Sequence, residues 1–256
     1  MIKTLVAAGC SFVAGSSMGK NHKPGGFLEW DVQQKYRFSN LLAIKLNAKE
    51  FNIAGSGGSN QRSIRLIYEW IKKNKAEVEN TIFVLGLTEL LRKEKFSTKT
   101  QSYIKWRNTV FFEDNSNLDN LEDTPQKLLP SSFDFHKLIE KENLLPKLKE
   151  YAKMDVLYFT DIAYESNKLT QNLEMLKAYI ESKKGKLLVF SAMLENTEFT
   201  FDSNSMFNFE TGRSWREYIS SYDKYYSFSR HPALNDNSIL ANILFKKIQN
   251  ETYYTP

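Results

Sequence analysis

The stretch Ile2-Lys3-Thr4-Leu5-Val6-Ala7-Ala8-Gly9-Cys10-Ser11-Phe12 decides the fold. Residues 2 to 8 are short, apolar and partly β-branched, and the run breaks at Gly9. It reads as a buried strand that enters a turn. The same grammar recurs outward from it. Phe38 to Leu46 has helical spacing, with Ser39 or Asn40 near its start. Glu50 to Ile53 is a second short strand, and it empties into the glycine-rich run Ala54-Gly55-Ser56-Gly57-Gly58-Ser59-Asn60. Ser63 to Lys73 places Ile64, Ile67, Tyr68 and Ile71 at helical period. Thr81 to Leu85 is a third strand, closed by Gly86. A helix after Tyr164 carries Leu169, Leu173, Leu176 and Ile180 and ends near Gly185. Lys186 to Phe190 is a fourth strand, and Ser238 to Ile248 is a C-terminal helix.

Strands that alternate with helices predict a parallel sheet with right-handed crossovers. The expected fold is α/β: a three-layer α/β/α sandwich with a mainly parallel, flavodoxin-like sheet. Residues 1–256 are expected to form one domain. Two regions break the rhythm. The stretch at about 92–155 is polar, charged and aromatic, with weak helical patterns at Phe135 to Ile139 and Leu144 to Tyr151. It is too long for an ordinary loop and reads as an insertion beside the site. The region 196–230 is irregular and aromatic-rich.

Composition narrows the function. Of the 256 residues, 41% are apolar, enough for a core and against global disorder. The formal charge is +5, but the lysines are spread along helical stretches and form no block. A solvated basic surface is the favoured reading, with no nucleic-acid partner expected. Cys10 is the one cysteine, so no internal disulfide is possible. Leu5-Val6-Ala7-Ala8-Gly9-Cys10 looks loosely like a lipoprotein cleavage site. The apolar run before it is shorter than the roughly 7–15 residues of a signal-peptide core. No run approaches the roughly 18 apolar residues of a membrane span. A cytoplasmic protein with no membrane partner is therefore expected.

Sites in open parallel sheets sit beyond the carboxyl ends of strands. Ser11, the loop around Gly57 and the Gly86-Leu87-Thr88 segment all follow strands and can converge on one edge. A serine at a strand-to-helix junction can present its hydroxyl where free backbone N–H groups stabilise an oxyanion. On that segment alone an N-cap serine is the commoner outcome. The glycine run lets backbone approach a ligand closely. It lacks both the Lys-Ser/Thr ending of a P-loop and the Gly-x-Gly-x-x-Gly pattern. Of the three histidines, His22, His136 and His231, the last precedes the terminal helix, where a general base can be delivered late in the chain. Cys10 reads as a small buried thiol in preference to a nucleophile. Phe199, Phe201, Phe207, Phe209, Trp215, Tyr218, Tyr222, Tyr225 and Tyr226 either pack an excursion onto the core, which is favoured, or line a substrate groove. Arg62, Arg65 and Arg92 are either contacts for an acidic substrate or helix-surface charges.

Taken in order, these segments resemble the SGNH (GDSL-like) hydrolase family. Gly9-Cys10-Ser11-Phe12-Val13-Ala14-Gly15 is similar to its first block, in the Gly-x-Ser-Phe form of bacterial and phage members. Asn52 to Asn60 resembles the second block, with Gly57 at the oxyanion glycine. Gly86-Leu87-Thr88-Glu89 takes the place of the third, usually Gly-x-Asn-Asp, and His231-Pro232 with Leu240-Ala241 resembles the last. The resemblance implies a serine-dependent ester hydrolase, acetylesterase-like, working through an acyl-serine intermediate on a small-molecule or acylated-glycan ester. Ser11 is the implied nucleophile and His231 the base. The amides of Ser11 and Gly57, with the Thr88 hydroxyl, would form the oxyanion hole. Asn60 and Arg62 are the expected substrate contacts. No metal and no organic cofactor is implied. Two residues depart from the family: Thr88 stands for its asparagine, and Phe228 stands where an aspartate would orient the histidine. Asp223, Asp236 or a backbone carbonyl are the substitutes for that acid. A non-catalytic binding protein of the same fold, with a degenerate site, is the alternative that these departures motivate.

Overall fold

Leu5, Val6, Ala7 and Ala8 have no solvent exposure, which a strand achieves when both faces of its sheet are covered. The computed structural model describes residues 2–16, 18, 28–98, 102–107, 141–143, 145–159, 161–194, 206–207, 209, 214–222 and 231–253. In chain order the strands are β1 (Thr4–Ala8), β2 (Lys49–Asn52), β3 (Thr81–Leu87), β4 (Arg92–Ser97), β5 (Ser102–Arg107), β6 (Lys186–Ser191) and β7 (Met206–Phe207). The helices are α1 (Ser11–Ala14), α2 (Trp30–Tyr36), α3 (Phe38–Leu46), α4 (Asn60–Lys73), α5 (Leu145–Phe159), α6 (Ile162–Glu181), α7 (Trp215–Tyr222) and α8 (Leu234–Tyr253).

Five strands form one sheet in the order β2-β1-β3-β6-β7, with every pairing parallel. This is the flavodoxin-like order. Strand period 2 sorts its side chains to two faces. Leu5, Ala7, Ile82, Val84, Leu188 and Phe190 join one core cluster, with Phe38 and Leu42 of α3 and Leu240, Ala241 and Leu244 of α8. Val6, Ala8, Phe83, Leu85, Leu87, Leu187 and Val189 join the other, with Ile64 and Ile67 of α4 and Leu169 and Leu173 of α6. The three-layer α/β/α sandwich is therefore the observed fold. No helix among the described residues is long and apolar enough to cross a membrane.

The structure revises several local expectations. Gly86 does not close β3; it lies inside the strand, which continues to Leu87. A Cβ there would sit 2.5 Å from Val13 Cγ2 and 2.9 Å from Phe190 Cζ, so the glycine marks a close approach of α1 to the sheet. α4 starts at Asn60, earlier than the apolar period suggests, because the Ser59 hydroxyl caps it by accepting from the Arg62 amide at 3.1 Å. β7 is an unforeseen fifth strand, and α2 an unforeseen helix. Within the stretch read as an insertion, β4 and β5 form an antiparallel hairpin. Lys93 and Lys95 of that hairpin pair with Asp155 of α5, and Lys93 also pairs with Glu165 of α6 at 3.0 Å. The pattern at Phe135 to Ile139 lies outside the described residues, as does Leu144; Leu145 to Tyr151 belong to α5.

Candidate active site

The chain leaves β1 through Gly9, whose φ of 153° is open to glycine. A Cβ at Gly9 would also meet the Gly86 carbonyl oxygen at 2.8 Å. Cys10 then occupies the N-cap and Ser11 opens α1. Ser11 is 6% exposed. Its amide, in the first turn, has no hydrogen-bond partner among the described residues. The Cys10 thiol is buried and directed at Met193 Sδ, 3.6 Å away.

His231 comes to this serine from the far end of the chain. Its Nε2 lies 2.9 Å from Ser11 Oγ. The ring packs on Phe12, centroid to centroid 5.2 Å, so the residue after the serine forms one wall for the imidazole. The loop that carries His231 is fixed at the start of α8. Asp236 Oδ2 accepts from the Ala233 amide at 2.7 Å, and Asn237 Nδ2 donates to the Ala233 carbonyl at 2.9 Å. Asp236, one of the expected substitutes for an orienting acid, makes this bond at the start of α8. Asp223 and Phe228 lie outside the described residues, as do His22 and His136.

The glycine-rich loop reaches the serine by extending sheet pairing beyond β2. The Ile53 amide donates to Ala7 O at 2.8 Å, and the Gly55 amide to Gly9 O at 3.1 Å. A turn follows, closed by Gly58 N to Gly55 O at 2.9 Å. Gly57 sits in it at φ 67°, the left-handed region. Its amide has no internal partner among the described residues. A Cβ on Gly58 would lie 3.0 Å from Gly9 O, so the loop and the β1–α1 junction are in close contact.

Asn60, one of the expected substrate contacts, is engaged within the fold. Asn60 is 5% exposed, and both ends of its amide are used. Oδ1 accepts from the Thr88 amide at 2.8 Å and Nδ2 donates to the Thr88 carbonyl at 2.9 Å. Asn60 therefore holds the turn after β3. Arg62 lies against the glycine loop: a Cβ on Gly55 would meet its guanidinium at 3.0 to 3.1 Å. Desolvation lowers the Arg62 pKa, with Glu94 opposing. The Thr88 side chain is fully enclosed, and its hydroxyl is directed at Met193 Sδ, 3.8 Å away. In this arrangement the hydroxyl is turned to a sulfur and is not presented to a ligand.

The other two arginines are engaged in ion pairs. Arg65 pairs with Glu94 and Glu69 and stacks over Tyr103, and the bonds to Glu94 raise its pKa. Arg92 is 6% exposed and bonds Glu89 at 2.7 Å. Phe209 and Trp215 are buried in the core, with Phe207 and Tyr218 against them. Those four pack the excursion inward. Phe199, Phe201, Tyr225 and Tyr226 lie outside the described residues, and of the Tyr222 side chain nothing is described. A small cleft lined by Gln61, Leu90, Arg92, Glu165 and Lys168 also borders Asn60 but includes neither Ser11 nor His231.

No sequence family and no curated protein matches the chain. Similar solved structures include the psychrotrophic esterase EstA from Pseudoalteromonas sp., at 11% identity and TM-score 0.49, over 98% of this chain and 99% of that one. TesA is similar at 10% identity and TM-score 0.47, over 97% and 99%. A family two carbohydrate esterase from Clostridium thermocellum is similar at 12% identity and TM-score 0.47, over 99% of this chain and 65% of that one.

Proposed function

We propose that the chain is a serine-dependent ester hydrolase of SGNH type, acting through an acyl-serine intermediate. The observation that carries this reading is the 2.9 Å approach of His231 Nε2 to Ser11 Oγ, between residues 220 positions apart. A serine hydroxyl is a weak nucleophile until a base within hydrogen-bond reach takes its proton. In the tautomer with the proton on Nδ1, Nε2 is that base. Ser11 Oγ bonds to the ester carbonyl carbon as its proton passes to Nε2. The carbonyl oxygen becomes an oxyanion, which the amides of Ser11 and Gly57, unpaired among the described residues, would receive. Collapse breaks the ester C–O bond, and the alcohol leaves with the proton from Nε2. Water then attacks the acyl-serine with Nε2 again taking a proton. The carboxylic acid departs and Ser11 recovers its hydrogen.

In this reading Asn60 and Arg62 hold the oxyanion segments in place, and the Thr88 hydroxyl contributes little. An O-acetyl ester, on a small molecule or a glycan, is the proposed substrate class. The first test is hydrolysis of p-nitrophenyl acetate by the wild type, Ser11→Ala and His231→Ala. Each substitution is expected to lower kcat/KM by at least about 1,000-fold, the scale on which such groups act as a unit. Equal rates in all three proteins would leave a binding protein in place of an enzyme.

A further inference from the structure

The serine, the glycine loop and the histidine stand on three different segments, so something must set their separation. A set of described side chains links these segments at the start of α3. Asn237 is 2% exposed and uses both ends of its amide. Nδ2 donates to the carbonyl of Ala233, two residues after His231, at 2.9 Å; Oδ1 accepts from the Phe38 amide at 3.0 Å. Phe38, 1% exposed, is locked by its edge contact with Phe190 of β6. Ser39, the next residue, has no exposure, and its hydroxyl accepts from Asn52 Nδ2 at 2.9 Å. The same Nδ2 donates to the carbonyl of Val13 at 2.8 Å, inside the serine's helix. Asn52 Oδ1 accepts from the amide of Ala54, at the head of the glycine loop, at 3.0 Å. The far side of Ser39 is closed by Glu50, to which it donates, and Arg37 holds Glu50 through two bonds of 2.9 and 2.7 Å.

We infer that Asn237 and Asn52 are positioning residues for the Ser11–His231 pair, joined through residues 37–39 into one polar strut between the histidine loop, the serine helix and the glycine loop. The inference rests on the serine–histidine reading above. Its physical basis is that every joint is buried or half-buried and that the two asparagines end on backbone groups of the site segments, at Ala233, Val13 and Ala54. A side-chain amide can bind two backbone partners at fixed geometry, as an aliphatic residue of its size cannot. Misplacing a reacting group by 1 Å can cost on the order of 100-fold in rate.

The test uses the full-length protein with Asn237→Asp, Asn52→Ala and a control, Asn74→Ala. Asn237→Asp keeps an acceptor for the Phe38 amide but sets a carboxylate against the Ala233 carbonyl. Asn74 binds Trp70 O at 2.8 Å at the end of α4, on no segment of the site, so its loss reads out general loosening. The first readout needs no turnover: the imidazole nitrogen NMR signals of His231, assigned with His231→Asn. Both site variants should move them toward the values in Ser11→Ala, and the control should leave them as in the wild type. On p-nitrophenyl acetate both should lower kcat by about 10- to 100-fold with KM within about twofold. His231 signals unchanged in Asn237→Asp, or kcat within about twofold of wild type in a folded protein, overturn the inference. Should one variant fail to fold, the other decides by the same readouts. A wild type without turnover would count against the enzymatic reading alone, since the resonances still decide the strut.

Discussion

At the scale of single residues, the site combines groups that the sequence displays openly with groups whose duty only the fold reveals. Ser11 and His231 stand out in the sequence through the resemblance of their segments to the SGNH blocks; position alone, a strand end and the start of a terminal helix, leaves an N-cap serine the commoner outcome. Their 2.9 Å contact cannot be read there, since it joins residues 220 positions apart. Asn60 shows the limit more sharply. A polar residue in a glycine loop looks like a ligand contact, yet it is consumed by the backbone of Thr88. No local sequence signal marks an asparagine that faces inward to pair a neighbouring turn. Asn237 and Asn52 are silent for the same reason, being ordinary asparagines until their partners come from other elements. Thr88 leads to a prediction. A hydroxyl aimed at a thioether is a weak interaction, and valine matches threonine in shape. Thr88→Val should keep kcat/KM for p-nitrophenyl acetate within about threefold, whereas a true oxyanion donor would cost about 100-fold or more.

At the scale of elements, the sheet is legible because its strands are short apolar runs separated by helices of clear period. β7, with two residues, is too short to announce itself, and its single pairing to β6 is a tertiary event. The β4–β5 hairpin escapes notice because β4 is mostly charged and Tyr103, Ile104 and Trp106 of β5 lie in a stretch that reads as polar overall. Its stability comes from partners elsewhere, chiefly Glu94 on Arg65 and Lys93 on Glu165, which periodicity does not reveal. Gly86 shows why a punctuation rule can mislead. Glycine usually ends a strand, but here the missing side chain is the room that Val13 and Phe190 occupy. Gly86→Ala must push α1 away from the sheet, since the clash is with a β-branched core side chain and an aromatic ring. Overpacking of this kind costs about 1–3 kcal/mol. Chemical denaturation should show that loss, and Ser11 activity should fall with it because α1 carries the serine. An unchanged midpoint and rate would mean that α1 is not held by this contact.

At the scale of the whole molecule, the parallel order β2-β1-β3-β6-β7 brings the ends of β1, β2 and β3 to one edge, and three site segments follow from it. In the proposed site the fold supplies position more than chemistry: two backbone amides, one hydroxyl and one imidazole, with buried and half-buried asparagines between their segments. On the proposed reading, Ser11 is reactive only in the folded protein. The most direct measurement is therefore covalent labelling by a fluorophosphonate, with the modified residue located by mass spectrometry. One adduct, on Ser11, is expected in the native wild type. Labelling should fall strongly in His231→Ala and vanish at that site in Ser11→Ala and in the urea-unfolded chain. No adduct in the native wild type, an adduct on another residue, or equal labelling of native and unfolded chains would contradict a serine–histidine site.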